Sequence, residues 1–63
     1  MSQTSTLNLY ELLFQAAVSQ FREQGYRGTS ISKITQEVGV AKGTFFNYFP
    51  TKNHVLAEAF HRI

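Results

Sequence analysis

The residues best suited to chemistry lie close together. Lys42, Thr44, Asn47, Tyr48 and Lys52 bring ammonium groups, hydroxyls and a carboxamide into one short stretch. Side chains of these types bond phosphate oxygens, and Thr and Asn also bond the edges of bases. The charge distribution points the same way. The chain has 63 residues and a formal net charge of +2. Residues 27–52 hold Arg27, Lys33, Lys42 and Lys52 against Glu37 alone. Residues 1–26 hold Arg22 against Glu11 and Glu23, and residues 53–63 hold Arg62 against Glu58. The basic excess therefore falls wholly in the middle third, a local patch that suits a polyanion.

Other chemistries find less support. His54, Glu58 and His61 recur at i, i+4 and i+7, so they share one helix face and have the spacing of a metal site. Two histidines and a carboxylate on an exposed helix are more often simply solvated. There is no HExxH, no nucleophile elbow and no Walker-type phosphate loop. Cysteine is absent, which removes disulfides and thiolate metal sites. The expectation is no catalytic residue, no metal and no cofactor. A complete enzyme with a ligand-sized pocket is not expected at this length. No apolar run exceeds three residues, so nothing spans a bilayer. The opening MSQTST lacks the basic and apolar regions of a signal peptide, and the default expectation is a cytoplasmic protein.

These residues need elements to hold them. Hydrophobic residues make up 43% and charged residues 16% of the chain, which reads as globular. From Leu9 an apolar stripe runs through Leu13, Ala17 and Phe21, widened by Leu12, Phe14 and Ala16. That spacing predicts an amphipathic helix, closed by a left-handed residue at Gly25. After a short connection, Tyr26 to Gly28, Thr29 or Ser30 can cap a second helix carrying Ile31, Ile34 and Val38. Gly39 stops it. A third helix covers Ala41 to Phe49 and ends at Pro50, which pushes the preceding residue out of the α region. Thr51 can cap a fourth helix carrying Val55, Leu56, Ala59, Phe60 and Ile63. No alternating β pattern occurs. The fold class is all-α, a small helical bundle of three helices and the start of a fourth. The fourth stripe still runs at Ile63 with no stop signal, so the chain reads as a fragment of a longer protein.

Two short helices joined at Gly39 match a helix-turn-helix, whose second helix enters the DNA major groove. At about 100° per residue, Phe45 and Phe49 face the core, and Gly43, Thr44 and Asn47 face away. Phe46 and Tyr48 flank the stripe, one on each side. Several choices in this helix oppose its own stability. Lys42 meets the wrong end of the macrodipole, Gly43 costs about 1 kcal/mol relative to Ala, and Ala41 offers no capping oxygen. Rules broken without local compensation mark functional sites, and DNA would supply the compensation. Phosphate would accept from the free N–H groups, and Gly43 would admit close backbone approach. Lys52, in the first turn of the fourth helix, repeats the dipole conflict, and phosphate contact is its leading reading. The alternative is a protein-interaction module that reuses the helix-turn-helix shape. It calls for an apolar outer face, where only Phe46 is apolar.

The run GYRGTSISKITQEVGVAKGTFFNYFPTK, residues 25–52, resembles the DNA-binding domain of the tetracycline-repressor (TetR) family of bacterial transcriptional regulators. Upstream, AAVSQF and EQGY resemble the end of that family's first helix, and Val55-Leu56 resembles the start of its fourth. The match covers about residues 10–60. Its spacing at Gly25, Tyr26, Thr29, Ile34, Gly39, Val40, Lys42, Gly43, Phe49 and Lys52 fits throughout.

The resemblance implies an all-helical homodimer with a larger C-terminal domain that dimerises and binds a small-molecule effector, releasing operator DNA. It implies a repressor, with residues 1–7 a flexible N-terminus and residues 8–50 the helix-turn-helix DNA-binding domain. Residues 51–63 would begin the helix leading to a C-terminal domain absent from this chain. The matching contact positions are Thr29 and Ser30 at the second helix start, then Ala41, Lys42, Gly43, Thr44, Phe46, Asn47 and Tyr48. Lys52 matches the family's phosphate-binding lysine. Two residues depart from the pattern. Ala41 stands where Ser is common, and Phe46 where Tyr is common, so a cap and a hydroxyl contact are missing. The implied partner is a double-stranded DNA operator, with no membrane.

Overall fold

A computed structural model describes residues 8–63. The flexible N-terminus expected over residues 1–7 lies outside the described residues. Four helices follow in order: α1 (Leu9–Gly28), α2 (Ile31–Val38), α3 (Lys42–Tyr48) and α4 (Lys52–Arg62). Among the described residues there is no strand, and the fold is the all-α bundle that the spacing predicts.

Each helix end has a local cause. Asn8 caps α1, its side chain accepting the Glu11 N–H at 2.9 Å. Near the other end Gly25 breaks the helical path, with φ +79° and ψ 163°. The expected left-handed closure is replaced by a more extended kink that is essentially open to glycine alone. One short helical turn resumes and runs to Gly28. Ser30, not Thr29, caps α2, accepting the Lys33 N–H at 3.4 Å. Gly39 closes α2 in the left-handed region at φ +91°. Its N–H and that of Val40 both donate to the Thr35 carbonyl, at 2.7 and 2.9 Å. The turn to α3 is thereby held tight. Thr51 stands at the expected head of α4, but its hydroxyl lies 3.0 Å from His54 Nδ1 and caps no backbone group.

Leu13, Phe14 and Ala17 of α1, Ile34 of α2, Phe45 of α3, and Phe49 and Val55 beyond it form the core. Phe45 is fully buried. Its ring centroid lies 5.6 Å from that of Phe49, which in turn lies 4.7 Å from Tyr10. Truncating a buried Phe costs ~3–5 kcal/mol, against a total of ~5–15 kcal/mol for a whole domain. A domain this small has little stability to spare, so Phe45 and its neighbours decide whether α3 is held at all.

Several residues of the expected apolar stripes lie outside it, Leu9 and Leu56 half-buried among them. Leu12 is exposed, Phe60 is 68% exposed and Ile63 is 99% exposed. The apolar stripes of α1 and α4 are wider than the strips that meet. α4 turns Val55 and Ala59 inward, and Phe60 falls on its other side.

The far end of α4 is fastened to α1 by charge. Arg62 donates through both terminal nitrogens to the Glu11 carboxylate, each at 3.0 Å, and through Nε to Glu58 at 2.8 Å. Its guanidinium also lies 3.9 Å above the Phe14 ring. The hydrogen bonds from Arg62, helped by one from Gln15, pull the Glu11 carboxyl down from an ordinary 4.5 to about 2.

Candidate nucleic-acid interface

α3 is a short helix with two sharply different sides. Phe45 and Phe49 anchor it in the core. Lys42, Gly43, Phe46, Asn47 and Tyr48 are exposed, and Thr44 is half-buried. The outward face expected from helical periodicity is therefore present, small and polar along Gly43, Thr44 and Asn47. Phe46 is 45% exposed and rests edge-on against Phe45, with centroids 5.5 Å apart. Tyr48 stands edge-on to Tyr10 at 6.1 Å, which fixes its ring at the opposite border. Aromatic walls thus bracket a hydrogen-bonding floor.

The start of α3 is open. No side chain caps it at Ala41; the Thr44 N–H turns back to the Ala41 carbonyl at 3.0 Å, and the N–H groups of Lys42 and Gly43 are left to solvent or to a ligand. Among the described residues Lys42 has no carboxylate partner. A Cβ built on Gly43 meets nothing within 4 Å. Packing inside the domain therefore does not require glycine there. A helix position that costs about 1 kcal/mol relative to Ala thus has no reason in the packing of the described residues.

The start of α2 is arranged differently. Ser30 is half-buried and its hydroxyl caps the helix. Thr29 is buried, and its hydroxyl donates to the Gly25 carbonyl at 2.8 Å. Its proton is used internally rather than offered outward. Lys52 is half-buried and sits against the same corner. Its ammonium donates to the carbonyls of Tyr26 at 3.0 Å and Thr29 at 2.9 Å, and stands 4.7 Å from the Tyr26 ring centroid. The structure thus leaves Ala41, Lys42, Gly43, Phe46, Asn47 and Tyr48 exposed, and Ser30 and Thr44 half-buried. It ties Thr29 and Lys52 into the corner where α2 begins.

One residue of this arrangement escaped the sequence reading. Gln20 is buried on α1, and its Oε1 accepts the Ser30 N–H at 3.3 Å. The signal was available: Gln20 follows Leu13 by seven residues and Ala17 by three, so it lies on the core-facing stripe. Of His54, Glu58 and His61, which share one face of α4, two have partners within the domain. His54 is paired with Thr51 and Glu58 with Arg62. Among the described residues no group of three or more such side chains converges on a metal position, and no helix is long and apolar enough to cross a membrane.

Comparison with known proteins gives a consistent picture. A family model described as "Bacterial regulatory proteins, tetR family" matches residues 13–59. The uncharacterized HTH-type transcriptional regulator YvdT of Bacillus subtilis is 41% identical over 51 residues, 81% of this chain and 26% of that protein. The fatty acid metabolism regulator protein of Bacillus subtilis is 39% identical over 51 residues, again 81% of this chain and 26% of that protein. An uncharacterized HTH-type transcriptional regulator of Haemophilus influenzae is 33% identical over 63 residues, 100% of this chain and 33% of that protein. No solved structure matches significantly. The chain spans about a quarter of the length of YvdT and of the fatty acid regulator.

Proposed function

The chain belongs to the TetR family of bacterial regulatory proteins, and from that premise we propose that it is the operator-reading head of a repressor. α3 enters the major groove with its outward face toward the bases. Thr44 and Asn47 read base edges, and Phe46 packs on a thymine methyl where one is present. Lys42, the Tyr48 hydroxyl, Ser30 and the uncapped N–H groups after Ala41 hold phosphates. Gly43 lets the backbone come close. Thr29 and Lys52 belong to the corner just ahead of α2.

In the full protein two such heads, joined as a homodimer through a C-terminal domain, would sit on a near-palindrome. Their half-sites would be about one helical turn or slightly more apart. A small-molecule effector bound in that domain would shift the heads and release the operator. A single head lacks that pairing, and its affinity is expected near ~10⁻⁴–10⁻⁶ M, the range of non-specific binding.

The observation that carries this reading is the open space around Gly43, beside an uncapped helix start and a polar outward face. A selection tests it. The chain is incubated at low salt with duplexes of random core sequence, and the retained fraction is sequenced. An enriched half-site supports both groove binding and base reading. Salt-sensitive retention without enrichment removes base reading from the chain on its own. No retention even at low salt removes DNA as the partner and favours an interaction module on the same fold.

A further inference from the structure

Arg27, Lys33, Lys42 and Lys52 make up the basic excess of the middle third. Lys42 stands at the exposed start of α3, and Lys52 at the corner ahead of α2. Lys33 lines a groove between α1 and α2 together with Glu23 and Glu37, so its charge is offset locally. Arg27 is the cation left over. It is exposed, it does not line that groove, and among the described residues it has no carboxylate partner.

The backbone that carries Arg27 is braced from both sides. It follows the Gly25 kink, in the short turn that runs to Gly28. The Lys52 ammonium donates to the Tyr26 carbonyl at 3.0 Å and to the Thr29 carbonyl at 2.9 Å. These two carbonyls flank Arg27 in the chain, one before it and one after. Thr29 also donates its N–H back to the Tyr26 carbonyl at 3.2 Å. Arg27 and Lys52 are thus neighbours on one held corner, just ahead of the Ser30 cap. An ammonium carries three N–H groups, and two are used on these carbonyls. The third is free for the phosphate contact expected of Lys52.

Two neighbouring cations with no carboxylate between them repel, and an anion set against both reverses the sign. A guanidinium presents a planar fork that fits a phosphodiester through two parallel hydrogen bonds. A duplex offers such groups in succession along each strand. The local alternative is a cation in the last turn of α1 that gains from the helix dipole. Lys52 already fills that place, because its ammonium serves the Tyr26 carbonyl in that turn.

We propose that Arg27 is a further contact to the DNA backbone: its guanidinium takes the phosphate next to the one met by Lys52, so that the corner ahead of α2 neutralises two successive phosphates. The proposal rests on the DNA-binding reading above. It adds a residue outside the contact positions that the family resemblance implies.

Arg27→Gln removes the charge and keeps most of the stem. Binding to the random-core duplex pool is measured across salt concentrations beside the unaltered chain, with Arg22→Gln as the control. Arg22 is also exposed on α1, but it precedes the Gly25 kink and lies outside the corner. Arg27→Gln is expected to reduce the slope of log K on log salt by about one. Over a fourfold rise in salt this amounts to about fourfold less loss of affinity. Arg22→Gln is expected to leave the slope unchanged. Any half-site enriched by the unaltered chain is expected to be enriched by Arg27→Gln as well, because a phosphate contact carries no sequence information.

An unchanged slope in Arg27→Gln overturns the proposal, and a lowered melting temperature alongside it would assign Arg27 to the dipole of α1. An equal reduction in both variants also overturns it, since only net charge would then count. So does a changed half-site, which would make Arg27 a reader of bases. Arg27→Lys keeps the charge without the fork. It is expected to keep the slope and bind more weakly; binding equal to that of the unaltered chain overturns the two-bond contact. If the unaltered chain retains no duplex at all, the DNA reading fails and Arg27 with it. Retention with an unchanged slope in Arg27→Gln defeats this proposal alone.

Discussion

Gln20 of α1 accepts the backbone N–H of Ser30 at 3.3 Å, so a buried side chain of the first helix holds the cap of the second. Ser30 in turn caps α2 through Lys33. The position of the α2 start is thus specified from behind. Replacing Gln20 with Leu keeps the volume but leaves the Ser30 N–H without its acceptor. The expected loss is ~1 kcal/mol, a fall in melting temperature of roughly 4–8 °C for a domain of this size. A thermal melt followed by circular dichroism checks it, and an unchanged midpoint would show that the bond contributes nothing.

Gly43→Ala separates stability from binding. The added methyl meets no atom of the domain, and alanine is the better helix former by about 1 kcal/mol. The variant is expected to melt higher and bind duplex more weakly. A variant that melts higher and binds equally well would show that no partner approaches the backbone there.

Asn47→Ala and Lys42→Ala should fail in different ways. Loss of the carboxamide is expected to cost ~1–3 kcal/mol at one base position and to relax preference there. Loss of the ammonium is expected to weaken all sequences alike and to flatten the salt slope by about one. Repeating the duplex selection with each variant checks the division; identical profiles would erase it.

The Glu11–Arg62 pair predicts a pH dependence. Because the Glu11 carboxyl is held at about 2, below its ordinary 4.5, its contribution is present above pH 4.5. It is lost progressively as pH falls toward 2. The pair is partly exposed, so screening keeps the effect small. The gap in melting temperature between the unaltered chain and Glu11→Gln should be widest near neutral pH and close toward pH 2. A gap independent of pH would mean that the carboxylate charge is not what fastens α4.

Much of this was legible along the chain. Leu13, Ala17, Ile34, Phe45 and Val55 announce their burial by spacing, and Gly39 and Pro50 announce the ends of α2 and α3. The two sides of α3 follow from the same arithmetic, because local periodicity is what sets a helix face. What stayed hidden depends on residues far apart. Nothing local says that Lys52 will reach Tyr26, or that Arg62 will meet Glu11. The exposure of Leu12 and Phe60 was equally hidden, since an apolar stripe tells which residues can be covered and not how broad the covering neighbour is. Thr29 was ambiguous for a related reason: its hydroxyl could cap α2 or turn back, and the Gly25 kink puts a carbonyl within its reach.

The Glu11–Arg62 contact joins residues 51 positions apart, and that separation bears on the order of assembly. Closing a chain segment costs entropy that grows with its length, by about 0.6 kcal/mol per doubling. Contacts between neighbours, such as Gln20 with Ser30, close cheaply and early. The Arg62 clasp closes a long loop and gains a screened surface pair and a contact on the Phe14 ring for it, so it is expected to form late. The same arithmetic runs in reverse on unfolding. The far end of α4 should lift away first, while the corner at Gly25 and the packed rings of Phe45 and Phe49 persist.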